Sequence, residues 1–532
     1  MTTLAGTGGL VRFILRRDRV RLPVWVLSIS VSVLGSVASF ASTYPTAADR
    51  QARARVLDSP VASLFVGPGY GLDDYTYGAM TAQEMLPITA LAVALMSIFL
   101  VVRHTRAEEE SGRADVVRAT AVGRHAAAVA TLAVVGGANL LLGVLLAVAL
   151  PLSLEGLSPG GSVAFAAALT GVGLVFTGVA LVVAQLSRAA RAALGAASIL
   201  MAAAYLLRAV GDMGGGALSW LSPFGWATET RAYVHERWCA LALPGLAAAM
   251  LSVAAVAIGG RRDVGAGVLA DRPGPATGPP LLGSPWGLAL RLQRAALAWW
   301  TVSLLGLGLV YGGIAEEAGE LYEDVSAIAE YLERIGAADA ADQYLALTFF
   351  VSALIGAGYS VQSALRLRGE ESAGRAEPLL AAPVSRWRLA GSHLAMSLGG
   401  GVVLLLAFGL GAGTTRALSA GQVSELPRLL GAALAYAPAL WVFTALATAL
   451  FGLLPRASGA AWAALAALAF VGFLGPLLRL PDWAYDLSPV EHIPRLPVAE
   501  FTPVPLVLLT LVAAGLLAVG LAGFRRREVG AT

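Results

Sequence analysis

Apolar runs of roughly 20 residues recur from one end of this sequence to the other, and they leave few options for its fold. A run of that length crosses a hydrocarbon core of about 30 Å as an α-helix, which satisfies its own backbone groups where water is absent. The runs are continuous and lack the in–out alternation of a membrane β-barrel strand. The sequence therefore predicts an all-α polytopic membrane protein. Spans are expected near residues 22–41, 86–102, 126–150, 163–186, 194–210 and 241–259, then 296–314, 345–365, 389–411, 429–454, 460–478 and 506–524, twelve in all. Charge content agrees, at 13% against about 25% in soluble domains. Arg12, Arg16, Arg17, Arg19 and Arg21 before the first run suggest a signal peptide, but no convincing cleavage site follows, so the run is read as a true span.

A charged segment occurs twice between these runs. Glu108-Glu109-Glu110-Ser111-Gly112-Arg113-Ala114-Asp115 recurs as Glu370-Glu371-Ser372-Ala373-Gly374-Arg375-Ala376-Glu377, and Arg124 and Arg386 follow in the same register. Further anchors appear in the same order. Trp25 matches Trp300, Leu221-Ser222-Pro223 matches Leu487-Ser488-Pro489, and Arg262-Asp263-Val264 matches Arg527-Glu528-Val529. The organisation expected is two six-span halves, 1–264 and 286–532, joined by a Pro/Gly-rich linker over 265–285. An even span count gives both halves the same orientation, related by an axis along the membrane normal. The chain has no lysine, so arginine carries the whole orientation signal, and the arginine-rich loops and both termini are expected in the cytoplasm. The net charge of +3 thus reflects topology and argues for no nucleic-acid partner.

Each charged repeat is expected to continue the second span of its half. Glu109 and Arg113, and likewise Glu371 and Arg375, stand four apart and would meet on one helix face. Gly112 and Gly374 let the chain leave that helix. In the second copy Pro378 suits the first turn of a short helix over 378–382, with Leu379 and Leu380 on its apolar side, Pro383 stopping it and Arg386 beginning the return to the membrane. The first copy, Asp115-Val116-Val117-Arg118, has similar amphipathic content without the two prolines. One such loop would read as an ordinary interfacial anchor. Two at matching positions point to docking elements for another protein.

Here the sequence resembles the permease subunit of type-2 ABC exporters, and most of all the fused twelve-span group associated with antibiotic and polyketide efflux, tetronasin-type permeases included. The residues carrying the likeness run from Glu370 through Arg386. The resemblance implies that the loop between the second and third spans of each half is a coupling helix, that the cargo is hydrophobic or amphipathic, and that a partner ATPase, two copies per permease, holds ATP and Mg. The location implied is a bacterial plasma membrane. A nucleotide-binding P-loop needs a lysine, which this chain lacks, so no cofactor and no enzymatic activity are expected on it.

Other classes fit less well. A proton-coupled secondary transporter also has twelve spans in parallel halves, yet no acidic residue falls clearly mid-membrane here. A membrane-embedded glycosyltransferase would use paired outer carboxylates, for which only Asp73-Asp74 offers itself. The histidines lack metal-ligand spacing, and Cys239 is the sole cysteine. Asn139 and Gln362 are candidates to line a pathway, with interhelical hydrogen bonding as the competing role, and Gln185 shares that ambiguity. The outer loops 42–84 and 315–344 are expected either as amphipathic surface helices or as solvated loops.

Overall fold

The structure is a computed structural model that describes residues 3–58, 66–213, 216–261, 277–316, 340–478 and 481–527. The described residues are helical with no strand among them, and eleven helices are long and apolar enough to cross a membrane. The remaining expected span corresponds to the helix Ala460–Leu478, 19 residues and apolar throughout. Contacts divide the chain into two units, Met1–Pro273 and Gly274–Thr532.

Unit 1 opens with an amphipathic helix, α1 (Thr7–Arg17), ahead of the first span α2 (Arg21–Thr43). An outer helix α3 (Ala47–Leu57) follows, and then α4 (Leu86–His104), α5 (Arg106–Glu110) and α6 (Arg113–Arg118). The unit continues with α7 (Ala126–Ser153), α8 (Pro159–Leu186), α9 (Ala190–Met213), the short α10 (Pro223–Thr228) and α11 (Ala242–Gly259). Helix α3 starts on a capping box formed by Thr46 and Asp49. It is a helix packed on its own unit and not a free loop. Gln51 Nε2 donates to the Leu72 carbonyl at 2.6 Å, Arg53 pairs with Glu84 at 3.0 Å, and Ala54 and Leu57 are buried. Most of the second outer loop, 317–339, lies outside the described residues, as do 262–276 of the linker region and 528–532 at the C-terminus.

Unit 2 contains α12 (Pro285–Gly313), α13 (Ala340–Ala364), α14 (Arg366–Ser372), α15 (Ala376–Ala381) and α16 (Arg386–Ser419). It ends with α17 (Glu425–Leu434), α18 (Ala437–Leu453), α19 (Ala460–Leu478), α20 (Asp482–Asp486) and α21 (Pro503–Arg526). Small residues let these helices touch backbone to backbone. A Cβ at Gly308 or Gly312 of α12 would stand 2.2–2.3 Å from the carbonyl oxygens of Phe408 and Ala412 on α16, the spacing of a small-xxx-small contact.

The second, third, fourth and last spans follow one order of burial in both units. The second and fourth spans are the most enclosed, 67% buried in unit 1 and 72% in unit 2. The third is 44% buried in both, and the last falls to 17% in both. Each charged repeat therefore hangs from the most enclosed class of helix in its unit.

Candidate functional site: two charged elbows

In unit 1 the chain leaves α4 at Thr105, runs through α5, turns at Gly112 with φ +73° and enters α6. In unit 2 it leaves α13, runs through α14, turns at Gly374 with φ +70° and enters α15. A left-handed glycine at the same register is what makes each segment an elbow instead of a longer helix. No atom lies within 4 Å of a Cβ built on either glycine, so a side chain there would meet backbone strain alone. Gly112→Ala and Gly374→Ala are each expected to cost about 1–2 kcal/mol, with asparagine milder, read as a lowered unfolding midpoint of the purified protein in detergent.

That turn overturns the expected pairing of Glu109 with Arg113 and of Glu371 with Arg375. An i,i+4 contact needs an unbroken helix, and the glycine swings the arginine back one residue further. Arg113 Nη1 meets Glu108 at 3.6 Å, and Arg375 Nε donates to Glu370 at 2.6 Å. The hydrogen bond to Glu370 pushes the Arg375 pKa up. The duplicated pairs are thus Glu108–Arg113 and Glu370–Arg375.

The next glutamate in each copy is the anchor. Glu109 is held at 2.8 Å by Arg106, whose side chain is fully buried. Arg106 also donates through Nε to the Ala184 carbonyl and through Nη2 to the Gln185 carbonyl at 3.3 Å, capping the end of α8. Glu110 accepts from the backbone N–H of Ala190 at 3.1 Å, at the start of α9. In unit 2, Glu371 takes both Nη groups of Arg527 at 2.6 Å, a bidentate pair that fixes the elbow to the end of α21. The Arg527 guanidinium lies 4.7 Å from the Phe451 ring centroid and 5.1 Å from that of Phe524. Arg386 donates to the carbonyls of Arg525 and Arg527 at 3.0 and 2.6 Å, which caps α21. Arg124, its counterpart in register, is exposed and makes no ion pair among the described residues.

The short helix of the second copy begins at Ala376 rather than at Pro378, which still falls in the first turn. Ala382 is extended (φ −78°, ψ 166°), as the residue before Pro383 must be, and this ends the helix. Leu379 and Leu380 pack on a small core with Leu367, Leu389 and Phe524, leaving Glu377 and Pro378 exposed. In the first copy Asp115 and Val116 are exposed, Val117 is half-buried, and Arg118 closes the helix. Each elbow therefore presents a short helix with one acidic and one apolar residue to solvent. Asn139 lies elsewhere, donating to Ser97 Oγ at 3.0 Å across α4 and α7, with its amide over Gly173 of α8. Gln362 sits on an exposed face of α13 and accepts from the Trp300 indole at 2.8 Å.

Besides Arg106, two contributors escaped the sequence reading. Arg527 is 156 residues from its partner in the chain, beyond any local spacing rule. The other is the N-terminus. Arg17 on α1 pairs with Glu108 at 2.5 Å, while Gly123 and His125 donate their N–H groups to the carbonyls of Ala5 and Thr3 at 2.8 and 3.1 Å. Ile14 packs on Ala130 and Val134 of α7. The available signal was Leu10, Val11 and Ile14 at helical spacing among the arginines. Among the described residues no group of His, Cys, Asp and Glu side chains could hold a metal ion.

The family profile described as "Multidrug efflux system permease Rv1217c, C-terminal domain" matches residues 282–525. Over 531 residues the chain is 42% identical to the "Multidrug efflux system permease protein Rv1217c" of Mycobacterium tuberculosis (strain ATCC 25618 / H37Rv), covering 98% of this chain and 95% of that protein. Identity at that level over nearly the whole length of both proteins makes this chain a member of the multidrug efflux system permease family.

Proposed function

We propose that this chain is the membrane-spanning subunit of an ATP-driven ABC exporter for hydrophobic or amphipathic compounds. The observation that carries the reading is the pair of elbows. Each is a charged, glycine-turned segment hung from the enclosed second span of its unit, and each exposes a short helix that no other part of its own unit covers completely. A separate ATPase, two copies per permease, would hold ATP and Mg and pull on both short helices. The face built from Asp115, Val116 and Val117, and that built from Glu377, Pro378, Leu379 and Leu380, would take the contact. On this reading the elbows and both termini face the cytosol of a bacterial cell, an orientation that the arginine distribution supports.

The runner-up is proton-coupled transport, and one observation favours it: Asp18 is buried and lies 2.8 Å from His104 Nε2. That pair sits at the end of α4 beside Arg103, which is 3.3 Å from the same carboxylate, so it also serves as an anchor for α1. Inverted vesicles separate the two readings. Uptake of a fluorescent amphipathic compound should survive collapse of the proton gradient and stop when ATP is withdrawn. Persistence without ATP would reject the ATP-driven mechanism. Co-purification should recover an ATPase at two copies per permease.

A further inference from the structure

One cavity in unit 1 is not accounted for by docking. It is a cleft enclosing about 110 Å³ and continuous with solvent, between α1, the first elbow, the start of α7 and the end of α11. Phe13 and Ile14 of α1 and Val256 of α11 give it an apolar wall, and Arg17, Arg113 and Arg124 bring three guanidinium groups to it. Its carboxylates are largely committed. Glu109 is held by Arg106, and Glu108 takes Arg17 at 2.5 Å, leaving Arg113 at 3.6 Å with its side chain 60% exposed. Arg124 makes no ion pair among the described residues. The cleft is thus a cationic rim above an apolar wall.

Its depth narrows the ligand. The last turns of α4 and α11 and the first turn of α7 all end at this cleft, so it lies at one membrane boundary. Helix α1 runs beside it with Phe13 and Leu15 about half exposed and Arg12 and Arg16 outward, the pattern of a helix lying in an anionic interface. Basic clusters at such a level attract acidic lipid, and a planar guanidinium matches two phosphate oxygens at once.

We propose that this cleft is a binding site for an anionic phospholipid of the cytosolic leaflet. The phosphate sits between Arg113 and Arg124, and an acyl chain lies along Phe13, Ile14 and Val256. The first elbow would then carry a lipid as part of its structure, whereas the second is clasped by Arg527 instead. The assignment rests on the orientation reading above only for the identity of the leaflet.

Binding can be measured on the purified full chain in neutral detergent, by titration with spin-labelled phosphatidylglycerol and, separately, spin-labelled phosphatidylcholine. Phosphatidylglycerol should bind at least ten-fold more tightly. Arg113→Gln with Arg124→Gln should weaken it roughly thirty-fold, at about five-fold per arginine. Arg456→Gln, in a loop of unit 2, should leave it unchanged. If the double variant does not fold, Arg124→Gln alone should lose about five-fold, since that side chain holds no ion pair among the described residues. Equal affinity for the two lipids, or an unaltered affinity in the arginine variants, overturns the proposal. Glycerol 3-phosphate binding as tightly as the whole lipid would overturn the lipid assignment in favour of a plain phosphate site. The measurement needs neither ATPase nor sidedness, so failure of the transport reading leaves it interpretable.

Discussion

Glu371→Ala is expected to lower the stability of the second elbow by about 3–5 kcal/mol, the cost of leaving one member of a buried ion pair without its partner. The geometry is of the strong kind. Both Nη groups of Arg527 reach the carboxylate at 2.6 Å, the Glu371 side chain is 2% exposed and that of Arg527 14%. Arg527→Ala should cost a similar amount, because a buried carboxylate is then stranded. The double replacement Glu371→Met with Arg527→Met should recover most of the loss, since an apolar pair of similar volume can replace a buried ion pair at little net cost. Unfolding midpoints in detergent of wild type, Glu371→Met, Arg527→Met and the double methionine variant test this as a double-mutant cycle. A coupling energy below about 1 kcal/mol would show the pair to be incidental. Transport supplies the second readout. If the elbow passes force from an ATPase, Glu371→Ala should hydrolyse ATP in complex with its partner while exporting little, and the methionine pair should regain stability without regaining full coupling.

Helical class and span positions were legible because a bilayer demands length and hydrophobicity that nothing else in a sequence imitates. The elbows were legible for a different reason. Gly112 and Gly374 recur in one register, and a glycine placed after charged helical residues marks where a helix turns left-handed. That same left-handed turn defeated the pairing rule. Spacing assigned Arg113 to Glu109 and Arg375 to Glu371, but the arithmetic holds only while the helix continues. The anchors of Glu109 and Glu371 were invisible for opposite reasons. Arg106 looks like one more interfacial arginine, and only burial reveals it as the cap of α8. Arg527 belongs to a C-terminal arginine run that the charge rule explains completely. Helix α3 could have been foreseen, because Thr46 followed by Asp49 is a capping-box signature. The amphipathic α1 was hidden by the same arginines that set topology.

The contrast between the two anchors yields the second large effect. Arg106→Ala removes at once one partner of Glu109 and the donors to the Ala184 and Gln185 carbonyls, all at a site where the arginine side chain has no solvent exposure. A loss of about 3–5 kcal/mol is expected, the same class of penalty as for Glu371. Arg106→Lys should recover only part of it, because a compact ammonium cannot span two carbonyls and a carboxylate as a planar guanidinium does. The damage should also stay local. Arg106 joins α5 to α8, so hydrogen exchange should quicken over residues 106–118 and at the end of α8 in that variant, with 370–381 unchanged. Arg527→Ala should do the reverse, loosening 370–381 and the last turn of α21 while sparing 106–118. Each elbow is thereby fixed by its own arginine, and if the elbows pass force from an ATPase, as proposed, a permease with one loosened elbow measures how much of the stroke a single elbow delivers. Residual export near half of wild type would mean independent levers; complete loss from either variant would mean that both must be held for any stroke to occur.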